Sequence, residues 1–86
     1  NTKNNTIFID EMIFKINNIS KLNSEYKNKL IDKLKYSDPV SNEMVKGIED
    51  NISSLISKLN DKSSIEEIDN IIKLIENRND IIKRNK

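Results

Sequence analysis

The sequence predicts an all-α protein, a small antiparallel up-down helical bundle of three helices, or of four if the first helix breaks near Asn23. Apolar residues recur at alternating steps of three and four in three segments, which is the period of an amphipathic helix. The breaks between these segments span only about 2–4 residues, which favours antiparallel neighbours. Sixteen residues are isoleucine, whose branched side chain favours strands. The prediction therefore gives the helical spacing of the apolar residues more weight than the strand propensity of isoleucine. The 86 residues, 35% of them hydrophobic, suffice for one thin core in a single domain covering residues 1–86.

The first predicted helix covers about residues 6–36. Asn23 and Ser24, followed by Glu25, form a typical helix N-terminus, because the Asn side chain accepts a hydrogen bond from a free backbone N–H. The segment is therefore either one long helix or two helices that meet at Asn23. A single apolar stripe with one polar position runs through it: Ile9, Met12, Ile16, Ile19, Asn23, Tyr26 and Leu30.

The second predicted helix covers residues 39–60. Pro39 fits the first turn of a helix, and Asp38 before it can accept the free backbone N–H groups. Gly47 indicates either the close approach of a neighbouring helix or simple tolerance of a residue that costs about 1 kcal/mol relative to Ala. The predicted buried stripe is Val45, Ile48, Ile52, Leu55 and Leu59, with polar residues including Glu43, Lys46 and Asp50 on the opposite face.

The last predicted helix covers residues 64–84. Ser63 and Ser64 stand three residues before Glu66 and Glu67, which is the spacing of two overlapping capping boxes. Asn79 interrupts the apolar stripe here as Asn23 does in the first helix, and the two amides would pair if they faced each other. The predicted buried stripe is Ile65, Ile68, Ile72, Ile75, Asn79 and Ile82, with Ile71 alongside.

The composition argues against an enzyme, a metal site and a bound cofactor. The chain has no His or Cys, so it lacks the commonest general base, thiol nucleophiles and the usual zinc ligands. Its single Gly cannot form a glycine-rich phosphate loop. Acidic pairs such as Glu49–Asp50 are sequence neighbours that diverge by about 100° on a helix, so we assign them to solvated faces. No apolar run approaches the ~18 residues of a membrane span.

Nucleic acid is a weakly supported partner, and a small nucleic-acid-associated regulatory protein is the alternative function. The formal net charge is only +1, so no strong field attracts phosphate. The lysines of residues 27–35 spread around their helix rather than forming one face. The candidate residues for this alternative are Lys27, Lys29, Lys33 and Lys35, together with the basic C-terminal residues Arg78, Lys83, Arg84 and Lys86.

Five apolar residues fall outside the main stripes and are the candidate protein-binding residues: Ile7, Phe14, Tyr36, Leu74 and Ile81. They either pack within the bundle, where a helix has more than one neighbour, or anchor a partner helix. Ile7 and Phe14 are the better candidates, because they lie nearly opposite their own stripe, whereas Leu74 adjoins Ile71. The leading hypothesis is a non-enzymatic helical interaction module that binds a protein partner or its own copy.

The composition and the first residue bear on the origin of the chain. Asn, Ile and Lys are abundant, whereas Ala is absent and Gly, Pro and Arg are rare, which indicates an AT-rich genome. The chain begins at Asn1 rather than Met, so we expect a processed protein or a piece of a longer one, such as a surface or scaffold protein.

Overall fold

A computed structural model describes residues 7–84 and confirms the all-α bundle, with four helices in the described part and no strand there. The helices are α1 (Ile7–Asn17), α2 (Ser24–Lys35), α3 (Lys46–Ser57) and α4 (Ile65–Arg84). Predictions that fall on residues 1–6, on Asn85 or on Lys86 lie outside the described residues. Within residues 7–84, no helix is long and apolar enough to cross a bilayer.

The segment of the first predicted helix forms two helices. Asparagine side chains form hydrogen bonds with free backbone groups on both sides of the turn between them. Asn18 Nδ2 donates to the Phe14 carbonyl oxygen at 2.8 Å, next to the end of α1. Asn23 Oδ1 accepts from the Glu25 N–H at 2.7 Å and caps α2. Leu22 is buried between them, so the intervening turn contributes to the core. These local bonds replace the helical hydrogen bonds that a continuous helix would form.

The third helix begins later than the predicted start at Pro39. Asp38 Oδ1 accepts from the Val40 N–H at 3.0 Å, which makes a local turn instead of a helix cap. Asn42 then caps a 3-10 turn at Glu43–Val45, and α3 follows at Lys46. The last helix begins close to its predicted start, with Ser64 Oγ accepting from the Glu67 N–H at 3.4 Å.

Consecutive helices alternate in direction, as contacts between distant residues show. Lys15, near the end of α1, donates to Ser53 and Ser57 in the last half of α3, so α1 and α3 run parallel. Lys29 pairs with Asp69 near the start of α4, and further along both helices Lys33 pairs with Glu76, so α2 and α4 also run parallel. Glu49, near the start of α3, pairs with Arg78 in the last part of α4, so these two helices run in opposite directions. The N-terminal ends of α1 and α3 therefore share one end of the bundle with the C-terminal ends of α2 and α4.

The order of the helices around the bundle differs from the prediction that helices joined by short connections pack side by side. Among the described residues, α1 and α4 each pack beside both α2 and α3. The consecutive helices α2 and α3 instead lie on a diagonal, and residues 36–45 cross the end of the bundle between them. A diagonal crossing needs more chain than the short connection that was expected after Tyr36. The core at the centre consists mainly of Ile9, Met12, Ile16, Leu22, Leu30, Leu34, Ile52, Ile56, Leu59, Ile68, Ile71 and Ile75.

Candidate protein-binding face and the ion pair beneath it

The buried stripes of α3 and α4 each contain one charged residue. The sequence predicted only apolar side chains and Asn79 in these stripes. Arg78 is completely buried and Glu49 is 9% exposed. Both belong to buried stripes that still step by three and four. One stripe runs through α3 and the residues next to its two ends, and the other lies in α4: Val45, Glu49, Ile52, Ile56 and Leu59, and Ile68, Ile71, Ile75, Arg78 and Ile82. The solvated face predicted for Glu49 and the exposed basic segment predicted for Arg78 are therefore wrong. The signal was available in the spacing of Arg78 from Ile75 and Ile82.

Arg78 and Glu49 neutralise each other inside the bundle. Arg78 Nε donates to Glu49 Oε2 at 2.7 Å, and Ser41 Oγ donates to the same carboxylate oxygen at 2.6 Å. Arg78 Nη1 donates to Asn79 Oδ1 at 2.8 Å. Burial of a charged side chain costs free energy unless it is paired and hydrogen-bonded, and these contacts meet that condition for most of the guanidinium group.

The polar network extends from Asn79 to the end of α2. Asn79 Nδ2 donates to Ser37 Oγ at 2.9 Å, and Ser37 Oγ donates to the Lys33 carbonyl oxygen at 2.7 Å. The pairing of Asn79 with Asn23 that the sequence suggested does not occur, because Asn23 caps α2. The network instead joins α2, α4 and the crossing segment at the end of the bundle that also holds Tyr36 and the start of α1.

Phe8 of α1 covers the buried guanidinium group. The carbon atom Cζ of Arg78 lies 5.1 Å from the centroid of the Phe8 ring, within the range of a cation–π contact. Nη2 of Arg78 has no hydrogen-bond acceptor among the described residues, so the ring face is a favourable neighbour for it. Phe8 thereby couples α1 to the ion pair between α3 and α4.

A cleft of about 560 Å³ opens above this ion pair, between α1 on one side and the crossing segment with the start of α3 on the other. Glu49 and Phe8 form part of its wall, so the buried ion pair supports it from below. The other lining residues are the apolar Ile7 and Met12 and the polar or charged Glu11, Ser41, Asn42, Glu43, Lys46, Asp50 and Ser53.

The outer face of α1 borders this cleft and carries two of the predicted anchors. Phe14 is 69% exposed and Ile7 is 42% exposed. They stand seven residues apart, so they share one face of the helix with Asp10 and Glu11 between them. The structure therefore presents Ile7 and Phe14 as an apolar pair flanked by two carboxylates.

The other three predicted anchors are not part of this face. Leu74 is half-buried and packs against the core, and Ile81 is half-buried. Tyr36 is 89% exposed at the end of α2, where it lines a separate depression with Pro39 and Lys83. Val40 and Met44 are exposed apolar residues that were not among the predicted anchors.

The lysines proposed for nucleic-acid binding are partly engaged on the protein surface. Lys29 Nζ lies 3.2 Å from Asp69, and Lys33 Nζ lies 2.7 Å from Glu76. With Arg78 buried as well, three of the candidate cations have a carboxylate partner within the chain.

Residues 7–84 hold no group of three or more carboxylate side chains placed to bind a metal ion together. Comparison with protein-family models, with curated proteins and with solved structures found no match to this chain.

Proposed function

We propose that this chain is a non-enzymatic interaction module that binds a protein partner through the outer face of α1. The observation that carries the proposal is the exposure of Phe14, 69% of which remains accessible in the folded bundle. Burial of a phenylalanine against a partner contributes roughly 1.5–3 kcal/mol, and aromatic anchors of this kind commonly dominate binding energies.

The position of Phe14 supports binding rather than packing within the bundle. The inward face of α1 already buries Ile9, Met12 and Ile16 between α2 and α3. Phe14 points away from that face. Ile7 lies on the same outer surface, about two helical turns before Phe14. The outer face of α1 is therefore available to a second molecule without any change in the bundle.

The alternative function, nucleic-acid binding, has less support because Lys29, Lys33 and Arg78 are paired with carboxylates. Phosphate contacts weaken steeply with salt, so retention of the chain on DNA or RNA that is lost at higher salt would favour this alternative.

The test uses Phe14→Asp and Ile7→Asp, with Ile65→Asp as the matched control. Ile7 and Ile65 are each the first residue of a helix and are 42% and 40% exposed, but only Ile7 lies on the outer face of α1. The immobilised chain is exposed to an extract of its source cells, and sedimentation at two concentrations measures its oligomeric state.

We expect Phe14→Asp and Ile7→Asp to lose a protein that wild type and Ile65→Asp retain, with the helical circular dichroism unchanged in all four. If all four retain the same proteins and sediment alike, the outer face of α1 is not an interface and the proposal fails.

A further inference from the structure

The carboxylates around the outer face of α1 indicate the chemistry of its partner. We propose that the partner is an α-helix with an apolar stripe bordered by Lys and Arg, and that it lies along the cleft between α1 and the crossing segment. This inference rests on the proposed function, because it assigns a partner class to the same face.

Four exposed carboxylates surround the apolar residues of this face: Asp10 and Glu11 on α1, Glu43 on the 3-10 turn and Asp50 on α3. None of the four forms an ion pair or a side-chain hydrogen bond with a residue of the described part. Glu49 also lines the cleft, but its charge is already neutralised by Arg78. These carboxylates are therefore available to the cations of another molecule.

The cations that residues 7–84 place near this face do not cancel its charge. Lys15 is drawn toward α3, where its ammonium group donates to the hydroxyls of Ser53 and Ser57 at 2.9 Å each. Lys46 is the one cation among the described residues that line the cleft. Among the described residues, these four carboxylates and two ammonium groups sum to a formal charge of −2, whereas the whole chain carries +1. The described part of the binding face is therefore acidic, although the chain as a whole carries a small positive charge.

The apolar surface of the cleft fits side chains of a helix. Ile7, Phe8 and Met12 form its apolar wall. Exposed Phe14 lies outside the cleft, in a shallow depression of α1 that shares Glu11 with the cleft lining. The contact of Phe8 with the Arg78 guanidinium holds that wall in place before any partner arrives. The groove of about 560 Å³ is already formed, so the protein loses little conformational entropy on binding. Its apolar wall suits the apolar stripe of a helix.

A second copy of this chain is a poor occupant of the cleft, because its own binding face is also acidic. Two copies that met through this face would place the carboxylates of Asp10 and Glu11 in one copy near those of the other. Like charges brought together across an interface oppose association. A basic helix from a different protein satisfies both the apolar and the acidic parts of the face.

The experiment selects binders from a displayed library of helical peptides in which an apolar stripe is constant and the flanking positions vary freely in charge. The bait is the full chain. The test variant is Glu11→Gln, Glu43→Gln and Asp50→Asn combined. The control variant removes three exposed carboxylates at the other end of the bundle, by Glu25→Gln, Asp61→Asn and Glu66→Gln, and changes the net charge equally.

We expect Lys and Arg to be enriched at the flanking positions of the selected peptides. Their affinity should fall at least about tenfold for the test variant and less than about twofold for the control, and raised salt should weaken binding to wild type. Selected peptides without basic enrichment that still require Phe14 would overturn this inference and leave the proposed function standing. A selection that yields no peptide dependent on Phe14 would count against both.

Discussion

Arg78 Nε and Glu49 Oε2 lie 2.7 Å apart and join two helices at positions that are 29 residues apart in the chain. The pair occupies the buried stripe of both helices, so it replaces the apolar contact that the periodic pattern predicts there. Its stabilising value depends on both partners, because either charge alone would remain in the core without compensation. The same pair lies beneath the cleft that we assign to a partner, which links the packing of the bundle to its candidate function.

Removal of one member of this ion pair should destabilise the fold severely. We expect Glu49→Ala to lower the free energy of unfolding by about 3–5 kcal/mol, because Arg78 then stays buried and unpaired. That loss is a large part of the roughly 4–13 kcal/mol typical of a domain of this size. Urea denaturation followed by circular dichroism measures the change. The double variant Glu49→Leu with Arg78→Met should be more stable than Glu49→Ala, and equal instability of the two would contradict this account.

The cap at the start of α2 predicts the effect of substituting Asn23. Asn23 Oδ1 accepts from the Glu25 N–H at 2.7 Å, and we expect Asn23→Ala to cost about 1 kcal/mol of unfolding free energy. Asn23→Asp keeps the acceptor and serves as the control in the same denaturation experiment. If residues 7–35 formed one continuous helix, Ala would be the better residue, so a gain in stability would refute the two-helix description.

Gly47 does not mark a close approach of a neighbouring helix. Apart from its chain neighbours and the backbone of its own helix, a Cβ atom at this position would meet no atom within 4 Å, and Gly47 does not have a positive φ. We therefore expect Gly47→Ala to raise the unfolding free energy by about 0.4–1 kcal/mol, because Ala restricts the unfolded chain and favours the helix. A thermal denaturation comparison with wild type would detect this gain, and a lower midpoint would show that the backbone there cannot accept a side chain.

Leu74 and Phe14 should respond differently to truncation although both were predicted anchors. Leu74 packs against the core, so Leu74→Ala should cost about 1–2 kcal/mol, less than a fully buried leucine. Phe14 is mostly exposed, so Phe14→Ala should change the unfolding free energy by no more than about 0.5 kcal/mol. The two urea midpoints compare them directly. A large loss in Phe14→Ala would mean that the ring belongs to the core.

The number and approximate positions of the helices follow from interactions between residues close together in the chain. The steps of three and four that place Ile9, Met12 and Ile16 on one face are a property of a single helix. Capping by Asn23 and Ser64 likewise involves atoms two or three residues away. The predicted helix start at Pro39 is wrong, because the Asp38 side chain forms a local turn with the Val40 N–H instead of capping a helix. The residues Asp38 and Pro39 are compatible with either structure.

The burial of Arg78 and Glu49, the diagonal placement of α2 and α3, and the acidic cleft depend on the tertiary structure. A charged residue can enter a core only where a partner of opposite charge meets it, and that partner lies on another helix. Ile7 and Phe14 could be recognised as lying off the main stripe, but whether a neighbouring helix would cover them depended on the order of the helices. Leu74 was covered and Phe14 was not, since burial is decided by where the helices pack rather than by position within one helix.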